Sequence, residues 1–333
     1  MGAAVRLLCV CAASIALEAA CAVAPNERAP AKGVVPAAAP AIDAPPRPSA
    51  IDAVEPPART ESPPPPAPTT PALSGDAPLV ALDVAGFGAA VVALPLGARE
   101  RRPVLVATHG NYDRPEWQCA TWAPIVAAHA FVLCPRGIAR RDSPSASDPR
   151  WEYGTNRTLE AEITAGLEAL RVRFPEHVDA GPAVYAGFSQ GAIMGVAIAL
   201  RAPKAFPRMV LTEGGFDNWT AQSAAAYARG GGARVLFACG QPGCSVSAKQ
   251  TVSLLTRAGV EARVVAAPGS GHSYGGAVAD AIGESLSWLV AGDARWGSSP
   301  ATVAPLPPAT VAPFTSADAK PARSRAVSCR LSA

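Results

Sequence analysis

Eight short apolar runs mark the middle of the chain: PLVALDV (78–84), AAVVALPL (89–96), PVLVATHG (103–110), FVLCPRG (131–137), AVYAGFS (183–189), RMVLTEGG (208–215), RVLFACG (234–240) and ARVVAAPG (262–269). Their length and β-branched content predict strands, and their continuous apolar character predicts strands covered on both faces. Between them lie segments with helical spacing, over Glu116–Ala130, Thr158–Phe174, Gln190–Ala202, Ser247–Ala258 and Ala277–Val290, with a shorter one at TAQSAAAYA. The run TLEAEITAGLEAL repeats its apolar positions at three and four residues, which predicts a helix opening near Thr158. Strands alternating with helices give an α/β fold with a mostly parallel eight-stranded sheet, helices on both faces and no large lid. Sheets of this kind bind ligands at the carboxyl ends of their strands, so the polar residues just past each strand end are the ones to examine.

The pattern stops on either side of this region. The chain has 35 prolines, concentrated at its two ends, where stretches such as ESPPPPAPTTPALSGDAP lack the apolar residues needed to offset ordering entropy. Residues 23–78 therefore read as a linker and 297–333 as a tail, leaving one folded unit over 79–296, large enough for a single core. The first 22 residues combine an arginine, the apolar stretch LLCVCAASIAL and an A-x-A-like site at Ala20-Cys21-Ala22, the pattern of a secretory leader. Lipidation of Cys21 is the weaker alternative, because Glu18 stands where that motif wants an apolar residue. No later stretch approaches the roughly 18 apolar residues of a membrane helix. The expectation is an exported protein, with association to the cell envelope through the linker as one arrangement. A net charge of +3, evenly spread, gives no footprint for nucleic acid.

Export changes the reading of the cysteines. Cys9 and Cys11 leave with the leader and Cys329 sits in the tail, while Cys119, Cys134, Cys239 and Cys244 fall in the folded unit. An even number in an oxidising compartment points to disulfides, with near-neighbour pairing Cys119–Cys134 and Cys239–Cys244 among the three pairings available. The spacing of CGQPGC is not that of a metal site and no histidine lies nearby. The four histidines are scattered over separate segments, so neither a metal nor another cofactor is expected.

Three strand ends carry chemistry. His109-Gly110-Asn111 follows the third strand, Gly187-Phe188-Ser189-Gln190-Gly191 closes the fifth, and His272 follows the eighth. G-x-S-x-G between a strand and a helix is a nucleophile-elbow pattern, with glycines where only a hydrogen fits beside the serine. The turn sets the hydroxyl at a helix N-terminus, where backbone N–H groups favour developing negative charge. A neighbouring imidazole would then make the serine nucleophilic. Of the other histidines, His129 falls late in a helix and His177 in a turn, and His109 belongs to the loop after the third strand, so His272 is the base candidate.

In THGN, GFSQG and GSGHSYGG the sequence resembles the α/β-hydrolase superfamily, especially its small capless carboxylesterase and dienelactone-hydrolase-like members. The resemblance implies a serine hydrolase, most simply a carboxylesterase working through an acyl-enzyme, with Ser189 as nucleophile and His272 as general base. It also implies an oxyanion hole made by the backbone N–H groups of Asn111 and Gln190. The usual acid after the seventh strand is missing, since CGQPGCSVS holds no carboxylate. Glu213, directly at the sixth strand end, ranks first for that role and Asp217 second, while Asp280 is expected to face solvent. A triad without any acid is the remaining possibility. Tyr112, Trp117, Trp151 and Tyr153 are candidate substrate-binding residues, and an open cleft would suit small or polymer-end esters. A peptidase of the same fold and a catalytically retired surface binding module are the competing readings.

Overall fold

The structure is a computed structural model describing residues 70–75 and 77–297. The expected leader and nearly all of the expected linker and tail lie outside the described residues, as do Cys9, Cys11, Cys21 and Cys329. All eight apolar runs form strands of one sheet: β1 (Leu79–Leu82), β2 (Ala90–Ala93), β3 (Val104–Thr108), β4 (Phe131–Cys134), β5 (Val184–Phe188), β6 (Arg208–Thr212), β7 (Arg234–Cys239) and β8 (Glu261–Ala266). Their order is β1-β2-β4-β3-β5-β6-β7-β8. Only β2 runs antiparallel to its neighbours; β4, β3 and β5 to β8 pair in parallel.

Six helices cover the sheet: α1 (Pro115–Val126), α2 (Asn156–Arg173), α3 (Gln190–Arg201), α4 (Ala221–Arg229), α5 (Pro242–Arg257) and α6 (Ala277–Val290). Side chains alternate along each strand. Val104 and Val106 of β3 therefore join the core under α2 to α5, with Leu159, Ile163, Val196, Tyr227 and Leu255. Leu105 and Ala107 join the core on the other face, with Trp122 and Val126 of α1 and Ile282, Leu286 and Leu289 of α6. Both faces being apolar explains why the strands read as unbroken apolar runs. Leu73 is also buried, its backbone bonded to Ala98 and Gly97, so the segment before β1 packs on the domain.

Several helix ends differ from the sequence expectation, each for a local reason. α1 stops at Val126 and continues as a 3-10 turn over Ala127–His129, with Ala127 at φ +47° and no helical donor at Pro124. α2 starts before Thr158, because Thr155 is its cap and Thr158 is the third residue of a reciprocal capping box. α5 begins five residues earlier than the apolar spacing indicates, with Pro242 in its first turn. A two-residue ribbon, Ile138–Ala139 with Trp151–Glu152, adds structure within the long loop after β4.

Candidate active site

Ser189 sits between β5 and α3 at φ +50° and ψ −111°. This conformation costs a non-glycine residue about 1–3 kcal/mol and persists only where its surroundings impose it. Here Ser189 N donates to Thr212 O of β6 at 2.9 Å, and Gly191 N donates to His109 O at 3.2 Å. The flanking glycines are demanded by close approach. A Cβ on Gly187 would lie 2.6 Å from Ala192 N, and one on Gly191 would lie 2.5 Å from Thr108 Oγ1 and 2.7 Å from its carbonyl. A side chain at either position would push the elbow off the sheet.

Glu213 is the first residue past β6, also at positive φ (+52°), and its side chain is 1% exposed. Its Oε1 accepts from Gly240 N at 2.5 Å and Gln241 N at 2.9 Å. Its Oε2 lies 3.4 Å from His272 Nδ1. The separation is longer than an ideal hydrogen bond. The His272 side chain is 46% exposed and its ring packs on Phe188 with centroids 4.9 Å apart. Asp217 is exposed in a 3-10 turn over Phe216–Asn218, and Asp280 is exposed on α6. Of the three carboxylates weighed from sequence, Glu213 alone meets the histidine.

The loop after β3 passes beside the serine. A Cβ on Gly110 would lie 2.8 Å from the Phe188 ring and 3.3 Å from Ser189 Cβ. Neither the Asn111 N–H nor the Gln190 N–H has a backbone acceptor among the described residues. The Asn111 side chain accepts from Arg140 at 2.6 Å, and Arg140 is held in turn by Asp142 (2.8 Å) and Glu152 (2.5 Å). His109 is fully buried, stacked on Tyr153 at 4.3 Å, with Nδ1 against Gly110 O and Nε2 against Arg136 O.

Asp113 and Tyr274 are the residues that sequence reasoning missed. The buried Asp113 carboxylate accepts from Gly110 N (3.3 Å), Arg114 N (2.8 Å), Gln118 Nε2 (3.4 Å) and the Tyr274 hydroxyl (3.1 Å). It ties the loop beside the serine to the loop carrying His272, two residues before Tyr274. Burial, reinforced by Asp113, pushes the Tyr274 pKa up, so the hydroxyl stays a donor. The available signal was a carboxylate four residues after His109, in a loop already singled out.

The four aromatic candidates divide. Tyr112 and Trp117 are exposed beside the loop and sandwich the Arg150 guanidinium, at 5.6 and 4.5 Å. Trp151 is half-buried under Arg136 at 4.9 Å. Tyr153 does not face a cleft. It is a buried pillar whose hydroxyl accepts from His109 N and donates to Pro135 O, while its backbone N–H and carbonyl bond the Gln190 amide at 2.9 and 3.0 Å. Aromatic character alone does not distinguish a wall from a pillar. The sulfurs form the near-neighbour disulfides Cys119–Cys134 and Cys239–Cys244, with Cα–Cα distances of 5.9 and 5.6 Å. Glu213 and the second disulfide form the one cluster with metal-like spacing among the described residues, but bonded sulfurs are not thiolate ligands.

No protein-family model and no curated protein matches the chain. Solved structures do. A Bacillus cereus carboxylesterase is 19% identical with a TM-score of 0.41, covering 56% of this chain and 89% of its own. An S-formylglutathione hydrolase from Agrobacterium tumefaciens is 15% identical at 0.45, covering 63% and 93%. Est1E from Butyrivibrio proteoclasticus is 12% identical at 0.45, covering 65% and 100%. The fold is read from the chain's own topology: with β2 as its one antiparallel strand, the order β1-β2-β4-β3-β5-β6-β7-β8 and a positive-φ serine between β5 and α3, it has the α/β-hydrolase fold.

Proposed function

We propose that the chain is an exported serine hydrolase that cleaves carboxylic esters. Ser189 Oγ attacks the ester carbonyl carbon while His272 Nε2 takes its proton. The tetrahedral oxyanion is held by the N–H groups of Asn111 and Gln190, a type of interaction worth about 10²–10³ in kcat per donor. His272 then gives the proton to the leaving alcohol. A water activated by the same imidazole releases the acid from Ser189. Glu213 stays ionised, fixes the proton on Nδ1 and stabilises the imidazolium.

The observation that carries this reading is the buried Glu213 carboxylate, with two backbone donors on one oxygen and His272 Nδ1 on the other. A buried carboxylate aimed at a histidine that packs on Phe188, the residue before a positive-φ serine, has little purpose in a purely structural module. The connection from β6 to β7 holds only a 3-10 turn and the nine-residue α4. No lid arises there, which favours small or polymer-end esters over long buried lipids. Export is the counterpart of the leader pattern and the two disulfides.

The test is hydrolysis of short p-nitrophenyl esters together with fluorophosphonate labelling. Turnover and labelling that both vanish in Ser189→Ala support a serine hydrolase. A folded protein that neither turns over nor labels is the retired binding module instead.

A further inference from the structure

The five-residue spacing of Cys239 and Cys244 makes their disulfide a weak staple for the whole domain, because the entropy gained by cross-linking falls as the closed loop shortens. Its position suits another task. Cys239 ends β7, Cys244 lies in the first turn of α5, and only Gly240 and Gln241 separate strand from helix. Those two residues supply both N–H groups that hold Glu213 Oε1. The same turn also seats the base. A Cβ on Gly240 would lie 2.4 Å from Gly271 O and 3.0 Å from Ser270 Cβ, so its backbone is packed against the residues just before His272. Cys239 O accepts from Ala267 N at 2.8 Å, fixing the start of that histidine loop.

We infer that the Cys239–Cys244 disulfide is a positioning element for the proposed triad, clamping the turn on which Glu213 and His272 both rest. This rests on the serine-hydrolase reading given above. The bond joins the two ends of the turn and lies against the carboxylate, with both sulfurs and a Glu213 oxygen within 4.8 Å of one another. Reduction by a dithiol reagent adds two electrons and two protons to the sulfurs and oxidises the reagent to its own disulfide. It leaves two thiols no longer obliged to stay within bonding distance. The turn then relaxes, and the 3.4 Å contact between Glu213 and His272 Nδ1 is lost for much of the time.

The experiment compares the oxidised full chain with two variants, Cys239→Ser with Cys244→Ser, and Cys119→Ser with Cys134→Ser. Steady-state ester hydrolysis gives kcat and KM, and fluorophosphonate labelling of Ser189 gives a rate independent of substrate. Loss of the acid from a Ser–His–acid triad costs up to about 10⁴-fold, and loosening it should cost about tenfold or more in kcat with KM little changed. The labelling rate of Ser189 should fall in step with kcat in the Cys239/Cys244 variant, because both need the proposed base in position. The Cys119/Cys134 variant should keep both its kcat and its labelling rate, as loss of a purely structural bond would leave them.

Should the serine pair fail to fold, dithiol treatment of the folded wild-type chain followed by reoxidation serves instead. Alkylation and mass measurement report which bond has opened. Activity that falls with opening of Cys239–Cys244 and returns on closure supports the inference. Unchanged kcat and an unchanged labelling rate in folded protein lacking that bond overturn it while leaving the hydrolase reading intact. Absence of labelling even in the oxidised chain overturns both.

Discussion

Replacing Glu213 with glutamine changes one atom's charge and almost nothing else in shape. Oε1 can still accept from Gly240 N and Gln241 N, so both buried donors stay satisfied and the fold should lose no more than about 1 kcal/mol. The other end of the side chain changes role. In place of an anion, an amide N–H₂ faces His272 Nδ1 at the 3.4 Å position. It donates to Nδ1, the ring proton moves to Nε2, and the nitrogen that must take the Ser189 proton is already occupied. Loss of the carboxylate also removes its attraction for the imidazolium of the transition state. Two unit charges 3.4 Å apart interact by about 5 kcal/mol at an effective dielectric of 20. With His272 nearly half exposed, water screens the pair and that figure is a ceiling. A wrong tautomer in a triad of this type costs about 10⁴-fold in kcat, or about 5.4 kcal/mol. We expect Glu213→Gln to lose at least 10³-fold in kcat, read in steady-state p-nitrophenyl ester hydrolysis, with an unfolding midpoint close to wild type and Asp217→Asn within about twofold. A folded Glu213→Gln protein keeping a tenth of its turnover, or an equal fall in Asp217→Asn, would refute the assignment of the acid.

Three further outcomes follow from the same geometry. Tyr274→Phe removes one of four donors from the buried Asp113 carboxylate, and should lower stability by about 1.5–3 kcal/mol in urea unfolding. Its kcat should fall several-fold with KM held, because the histidine loop loses its tie to the loop beside the serine. Gly191→Ala forces a Cβ to within 2.5 Å of Thr108 Oγ1, so the variant should lose more than about 2 kcal/mol and fluorophosphonate labelling with it. Burial holds the Glu162 carboxyl above the usual carboxylate range, against the backbone bonds from Arg136 and Gly137. The folded state therefore keeps a proton that the unfolded chain has already released. Its contribution to stability falls as pH rises through the carboxylate range, and Glu162→Gln should flatten that slope relative to wild type.

Much of the fold could be read from the chain because the short β-branched runs of β2 to β7 are buried on both faces, with only the edge strands β1 and β8 partly exposed. Ser189, with its two glycines, was legible for the same kind of reason, since few local structures require a serine between such residues at a strand end. The choice between Glu213 and Asp217 was not legible. It turns on a positive φ at Glu213, which aims the carboxylate inward, and a residue's rank in a loop does not report its direction. The early start of α5 was hidden because PGC reads as a turn when the disulfide is taken only as a loop closure. Tyr153 reads as a pocket wall and is a pillar, because its hydroxyl is taken up by backbone groups of two separate segments, His109 N and Pro135 O.

The amide pairing between Gln190 and Tyr153 bears on how such a protein can diversify. Gln190 offers its backbone N–H to the proposed oxyanion site while its side chain fastens the Tyr153 backbone, just past the ribbon in the long loop after β4. This long loop is thus bolted to the residue that follows Ser189. Loop exchange here has to carry the Tyr153 backbone geometry with it, and a transplant that ignores this register would disturb the reaction centre while trying only to change its guest.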